Sequence, residues 1–193
     1  MEIPIQPILF SIPSLVYIVV RKIQHHAWKD IFSKLGWRLP PLKYVGIGLG
    51  MGLVPGLLTL FLPNLFPADL LDQEQIAQTV YSTWDLSIAT FFLIFAREAI
   101  YTALGEEVFF RGFLGGMLFR KFGFAVGNII QAILFLLPHL ILLVLSLKLW
   151  PLLVVQLLGG WLYGWLYHES NSILPGWLSH SLGNAFGALM FMR

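Results

Sequence analysis

Apolar residues run along this chain in six blocks, separated by short clusters of charge, proline and glycine. The blocks fall at about 5–20, 43–63, 86–119, 124–147, 151–167 and 172–191. A membrane-crossing helix needs ~20 predominantly apolar residues. The pattern therefore predicts an all-α, polytopic transmembrane helix bundle of about six spans. The first block is slightly short, and Pro7 and Pro13 bend or shorten it. The third is too long: as one helix it would measure ~51 Å at ~1.5 Å per residue, against a hydrocarbon core of ~30 Å. It must tilt, kink, or leave the core near Gly112–Gly116.

The connections carry their own patterns. Trp28, Ile31, Phe32 and Leu35 recur at helical spacing among lysines, which predicts a short helix in the membrane interface or else a plain basic loop. His25 and His26 lie in the same stretch and read as a solvated pair. Gly46, Gly48, Gly50, Gly52 and Gly56, and later Gly160 and Gly164, give small-xxx-small spacings that let helices approach closely. The 64–85 connection holds Asp69, Asp72, Glu74 and Asp85, no Lys or Arg, and room for a short helix. Orientation follows from the basic residues. Arg21, Lys22, Lys29, Lys34, Arg38 and Lys43 lie in the first connection, and Arg120 and Lys121 in the third. Connections 1–2, 3–4 and 5–6 are expected on the cytoplasmic side, with both termini outside.

Composition agrees. The 193 residues are 58% hydrophobic and 11% charged, where a soluble domain carries about 25% charged residues. One membrane domain, 1–193, is expected. A net charge of +2 gives no reason to expect nucleic acid as a partner. The absence of cysteine excludes disulfides, thiolate metal sites and a thiol nucleophile. The start, Met1-Glu2-Ile3-Pro4, lacks the basic region of a signal peptide, so the first apolar block is expected to be retained.

Candidate chemistry lies where ionisable residues interrupt apolar blocks, because such groups are costly in lipid and mark function. Glu106 and Glu107 are followed by Arg111. Residues 107 and 111 share a helix face, so Arg111 can hold Glu107 ionised. Glu106 is rotated by about 100° and can face something else, as a general base must. A structural charge cluster is the alternative. Arg97 and Glu98 are expected to pair with neighbouring helices. His139 follows Pro138 in the fourth block, and His180 and Asn184 lie one turn apart in the sixth. Counted from the turn at 120–123, Glu106 and His139 lie ~20–25 Å along opposite arms, and His180 and Asn184 are ~14–20 Å beyond the Asn171 turn. Three helices can thus bring carboxylate, imidazoles and amide to one pocket inside the membrane.

Glu106-Glu107-xxx-Arg111, Phe135-xxx-His139 and His180-xxx-Asn184, in that order, resemble the three motifs of the CAAX prenyl protease and bacteriocin-processing family. This is also called the Abi or CPBP family of intramembrane proteases. Phe110-Arg111-Gly112 and Ser172-Ile173-Leu174-Pro175 are similar to its flanking strings, and the resemblance covers about 98–188. It implies an intramembrane endopeptidase, of compact prokaryotic type in the plasma membrane, acting on a membrane-associated or lipid-modified peptide or protein. Glu106 with His139 would activate water, His180 and Asn184 would stabilise the oxyanion, and Glu107 with Arg111 would orient the site. No cofactor is favoured. A Zn2+ ion held by Glu106, His139 and His180 is the alternative. A proton-linked transporter and a non-catalytic scaffold or immunity protein are the rival functions. The residues alone do not select a substrate.

Overall fold

The computed structural model describes residues 5–59, 81 and 84–189, and the regular structure among them is helical throughout. Helix α1 (Ile5–Ile23) contains Pro13 and ends in Arg21 and Lys22, cations that complement the negative end of the helix dipole. The short helix expected after it is present as α2 (Trp28–Lys34). Ile31 and Leu35 turn into the protein, whereas Trp28 and Phe32 stay exposed and stack at 5.9 Å. His25 and His26 lie between α1 and α2 and keep out of the core. Gly36 then takes a left-handed φ of 77°, and a Cβ there would strike the Tyr167 ring at 2.6 Å.

Helix α3 (Leu42–Thr59) follows. The short helix expected in the 64–85 connection falls outside the described residues. The third block is helical from α4 (Ile88–Glu98), through a π-wound stretch (Ala99–Ala103), α5 (Leu104–Glu106) and a second π-wound stretch (Glu107–Gly115), into α6 (Gly116–His139). It does not break at Gly112–Gly116. It turns at Gly123, where φ 74° and ψ 168° leave the helical region, inside the expected hairpin. Next come α7 (Ile141–Leu145), a 3-10 turn (Leu147–Leu149), α8 (Trp150–Ser170) and α9 (Leu174–Leu189).

Packing runs through small residues. Gly127 lies against Leu118, Gly115 against Gln131, and Phe110 meets Phe135 edge-on at 5.1 Å. These pairs step outward on both sides of Gly123, so the two arms form an antiparallel hairpin. Gly160 and Gly164 of α8 admit Ala132 with Phe135, and Asn128 with Gln131, which makes α8 antiparallel to the second arm of α6. Gly48, Gly52 and Gly56 of α3 meet Pro175, Ser179 and Phe186 of α9, so those two helices run parallel. α1 runs parallel to the second π stretch, with Pro7 at Gly105, Phe10 at Phe109 and Tyr17 at Phe113.

The distribution of polarity is inverted relative to a soluble bundle. Glu106, Glu107, Arg111, Asn128, Gln131, Ser179, His180 and Ser181 are buried, while Val16, Val19, Phe92, Ile129, Ile133 and Val155 face outward. In lipid an apolar exterior carries no penalty, and the backbone is satisfied within helices. By length and composition, two stretches are long and apolar enough to cross a membrane, 88–144 and 147–170, and the first of them doubles back at Gly123.

The loops at one end tie the bundle together. Asn171 ends α8 at a left-handed φ of 52°. Ser172 donates to the Arg38 carbonyl at 2.6 Å and accepts from the Leu174 amide at 3.2 Å, capping α9. The Ile173 amide donates to the Gly36 carbonyl at 3.0 Å. The α2–α3 loop and the α8–α9 turn are thereby fixed to each other, which sets the height of α9 beside the π-wound rod.

Candidate active site

The second π stretch begins at Glu107. Pi winding replaces i→i+4 hydrogen bonds by wider ones and recurs at functional sites. Glu107 and Arg111 are 0% exposed, and their Oε1 and Nη1 atoms lie 2.9 Å apart. The guanidinium also donates from Nη2 to the Gly160 carbonyl at 3.3 Å and sits 4.1 Å over the Phe135 ring and 5.2 Å over Tyr163. A buried ion pair is tolerated only where further partners compensate its desolvation, and Arg111 has them on two other helices. Gln131 donates to the same Gly160 carbonyl at 2.9 Å, and Asn128 to the Trp161 carbonyl at 3.0 Å.

His180 of α9 enters between the two carboxylates. Its Nδ1 lies 3.0 Å from Glu107 Oε1, and its Nε2 lies 3.7 Å from Glu106 Oε2. Ideal α-helical spacing separates neighbouring side chains by about 100° and predicts that Glu106 and Glu107 face different partners. One imidazole reaches both, because the winding widens at Glu107 and the ring offers nitrogens on two edges. Gly176, one turn earlier on α9, makes room: a Cβ there would lie 2.9 Å from Glu107 Oε2. Tyr163 stacks on the His180 ring at 5.2 Å and Phe135 meets it edge-on at 5.9 Å.

His139 ends α6. Its Nδ1 is 2.8 Å from the Phe135 carbonyl. Donation from Nδ1 to that carbonyl leaves Nε2 as the acceptor nitrogen. The ring touches Phe135 at 4.8 Å, so the two histidines share one aromatic neighbour. The hairpin register continued by one turn beyond Phe110 and Phe135 sets residue 106 level with residue 139.

Asn184 lies one turn beyond His180. Its Nδ2 donates to Glu98 Oε2 at 3.4 Å. The other Glu98 oxygen accepts from Arg97 at 3.3 Å and, through a short hydrogen bond, from the Tyr81 hydroxyl. Burial, with Glu98 beside it, pushes the Tyr81 phenol above its ordinary range, so it stays protonated and donates. His180 and Asn184 both line a cavity of about 360 Å³ between α3, α8 and α9, walled by Met51, Gly52, Val155 and Leu158 among others. The wall is mostly apolar, and the imidazole and amide are polar groups on it, with Gln156 and Tyr163.

The structure therefore brings Glu106, Glu107, Arg111 and His180 together, reaches His139 through Phe135, and sets Asn184 on the cavity beside His180. Among the described residues no group of three His, Asp or Glu side chains converges to hold a metal ion. Sequence reasoning left Glu98 outside the site and gave Tyr163, Gln131 and Gly176 no role. A tyrosine or glycine in an apolar helix carries no signal of its own, although the Gly160/Gly164 spacing marked where α8 is approached.

A family model described as "Type II CAAX prenyl endopeptidase Rce1-like" matches residues 88–186. No curated protein and no solved structure matches the chain. The matched span covers more than half of the 193 residues and contains Glu106, Glu107, Arg111, His139, His180 and Asn184. With its motifs in order on an all-helical scaffold, the chain belongs to the Rce1-like family of type II CAAX prenyl endopeptidases, a family of integral membrane proteases.

Proposed function

We propose that the chain is a glutamate-dependent intramembrane endopeptidase that hydrolyses a peptide bond in a membrane-associated or lipid-modified protein. The single observation that carries the mechanism is His180, held between Glu106 and Glu107 and lining a mostly apolar cavity. An extended substrate segment lies along that cavity with its scissile carbonyl at His180 and Asn184. Glu106 and His139 Nε2 hold a water molecule. Glu106 takes its proton as the oxygen attacks the carbonyl carbon. The tetrahedral oxyanion accepts hydrogen bonds from Asn184 Nδ2 and His180 Nε2. With Nδ1 committed to Glu107, Nε2 donates only when the ring carries both protons; with Glu106 protonated at that stage, Glu107 and the oxyanion itself balance that charge. The C–N bond then breaks, and Glu106 passes its proton to the leaving amine. Arg111 fixes Glu107, and Glu107 fixes His180. No step needs a metal.

Six spans supply the frame. The rods alternate in direction, and the parallel pairs α1 with the π-wound rod and α3 with α9 are those a six-span serpentine requires. The basic connections after α1 and at Arg120-Lys121 face the cytoplasm. The test is product chemistry. The protein in detergent is incubated with farnesylated CAAX-tailed peptides and with an unmodified peptide library in ¹⁸O-water. Expected is cleavage at one bond, with a single solvent oxygen in the new carboxylate. No new terminus from any peptide overturns the reading.

A further inference from the structure

We propose that Glu98 is a positioning residue for Asn184. It selects which way the Asn184 amide faces and so sets the oxyanion donor. The inference rests on the reading of Asn184 as that donor. An asparagine side chain can sit in two flipped orientations of nearly equal shape, one presenting Nδ2 and the other Oδ1 to a given neighbour. Only Nδ2 can face a carboxylate favourably, since Oδ1 would set acceptor against acceptor. Glu98 Oε2 lies 3.4 Å from Nδ2. It thus fixes the flip, takes one N–H, and leaves the second for the cavity that Asn184 lines.

The carboxylate is itself anchored. Its Oε1 is held by the Tyr81 hydroxyl and by Arg97, while Oε2 turns to α9. Arg97 also donates to the Tyr81 oxygen at 2.8 Å and packs 5.2 Å from the Tyr81 ring. The Glu98 side chain is 13% exposed, so water competes weakly for it. A residue needed only to join α4 to α9 could use any apolar contact. Here a charge, its cation and a phenol are gathered behind one amide that lines the cavity. Preorganised donors of this kind act only if their direction is fixed before the oxyanion forms.

The experiment is a double-mutant cycle on the full chain in detergent, with a quenched fluorescent peptide bearing a farnesylated CAAX tail. Wild type, E98A, N184A and E98A/N184A are compared for kcat and KM, with thermal unfolding followed alongside. Misplacing a catalytic group by ~1 Å costs up to about a hundredfold in rate. E98A is expected to lose about tenfold to a hundredfold in kcat with little change in KM. In the N184A background the same substitution is expected to cost nothing further, because residues that act through one another are not additive. Losses that multiply, or a change confined to KM, overturn the proposal while leaving Asn184 its role. If N184A cleaves at the wild-type rate, or the wild type cleaves nothing, the reading of Asn184 fails and this inference fails with it. Should E98A not fold, E98Q carries the same cycle: the donors Arg97 and Tyr81 hold its amide oxygen, its NH2 group turns to Asn184 and favours the opposite flip, and the same loss is expected.

Discussion

The Nδ1 atom of His180 lies 3.0 Å from the Glu107 carboxylate across 73 residues of chain. That contact joins the π-wound rod to α9 at the level where α9 lines the cavity. It also makes Glu107 a shared acceptor, because the same Oε1 faces Arg111 at 2.9 Å. The motif Glu106-Glu107-xxx-Arg111 is therefore a means of aiming a histidine on another helix as well as a charge pair.

Arg111→Met leaves Glu107 buried without its cation. Breaking a buried pair from one side costs about 3–5 kcal/mol, whereas replacing both partners is far cheaper. Thermal unfolding in detergent is expected to show a large loss for Arg111→Met and recovery of most of it in Glu107→Gln/Arg111→Met. Equal losses in the single and double variants would contradict the pairing.

Gly176→Ala places a methyl group 2.9 Å from Glu107 Oε2. Arg111 and His180 hold that carboxylate, so it cannot withdraw freely. Overpacking of this kind costs about 1–3 kcal/mol, and cleavage is expected to fall further than stability does, because His180 is displaced with Glu107. Wild-type kcat in Gly176→Ala would show that Glu107 does not aim the ring.

The glycines of α3 divide into two sets with opposite expectations. A Cβ at Gly52 would lie 2.8 Å from the Ser179 carbonyl, whereas one at Gly50 meets nothing within 4 Å. Gly52→Ala is expected to destabilise by about 1–3 kcal/mol. Gly50→Ala is expected to stabilise by about 0.5–1 kcal/mol through helix propensity. Equal melting shifts for the two would mean that α3 does not pack on α9 through this face.

Much of this arrangement was legible in the chain, for physical reasons. Charge inside apolar blocks is conspicuous, so Glu106, Glu107, Arg111, His139 and His180 stood out. The turn at 120–123 was marked by Arg120 and Lys121, and the structure turns at Gly123. The glycine spacings announced close helix approach but could not say which of two staggered sets makes it. Gly48, Gly52 and Gly56 do, and Gly46 and Gly50 do not. The π winding at Glu107–Gly115 was not legible, because the spacing of apolar and polar residues in the block does not distinguish it from α winding. Glu98 was visible as a charge, but its partner Asn184 lies 86 residues away and its partner Tyr81 in a polar connection.

Metal dependence is a further test. Glu106, Glu107 and His180 come together, but among the described residues no group of three His, Asp or Glu side chains is placed to hold a metal ion. Cleavage is expected to persist in a chelator such as EDTA or 1,10-phenanthroline at concentrations that strip catalytic zinc. Loss of cleavage that added Zn2+ restores would place a metal in the mechanism and require another arrangement of His139.

The most direct measurement is kcat for Glu106→Gln with the farnesylated CAAX-tailed peptide, beside its thermal unfolding. The amide keeps the shape of the side chain and removes the base. General base catalysis contributes about 10²–10⁴-fold, so the account predicts a fall of at least about a hundredfold in kcat with folding intact. Cleavage at the wild-type rate by a folded Glu106→Gln protein would contradict it.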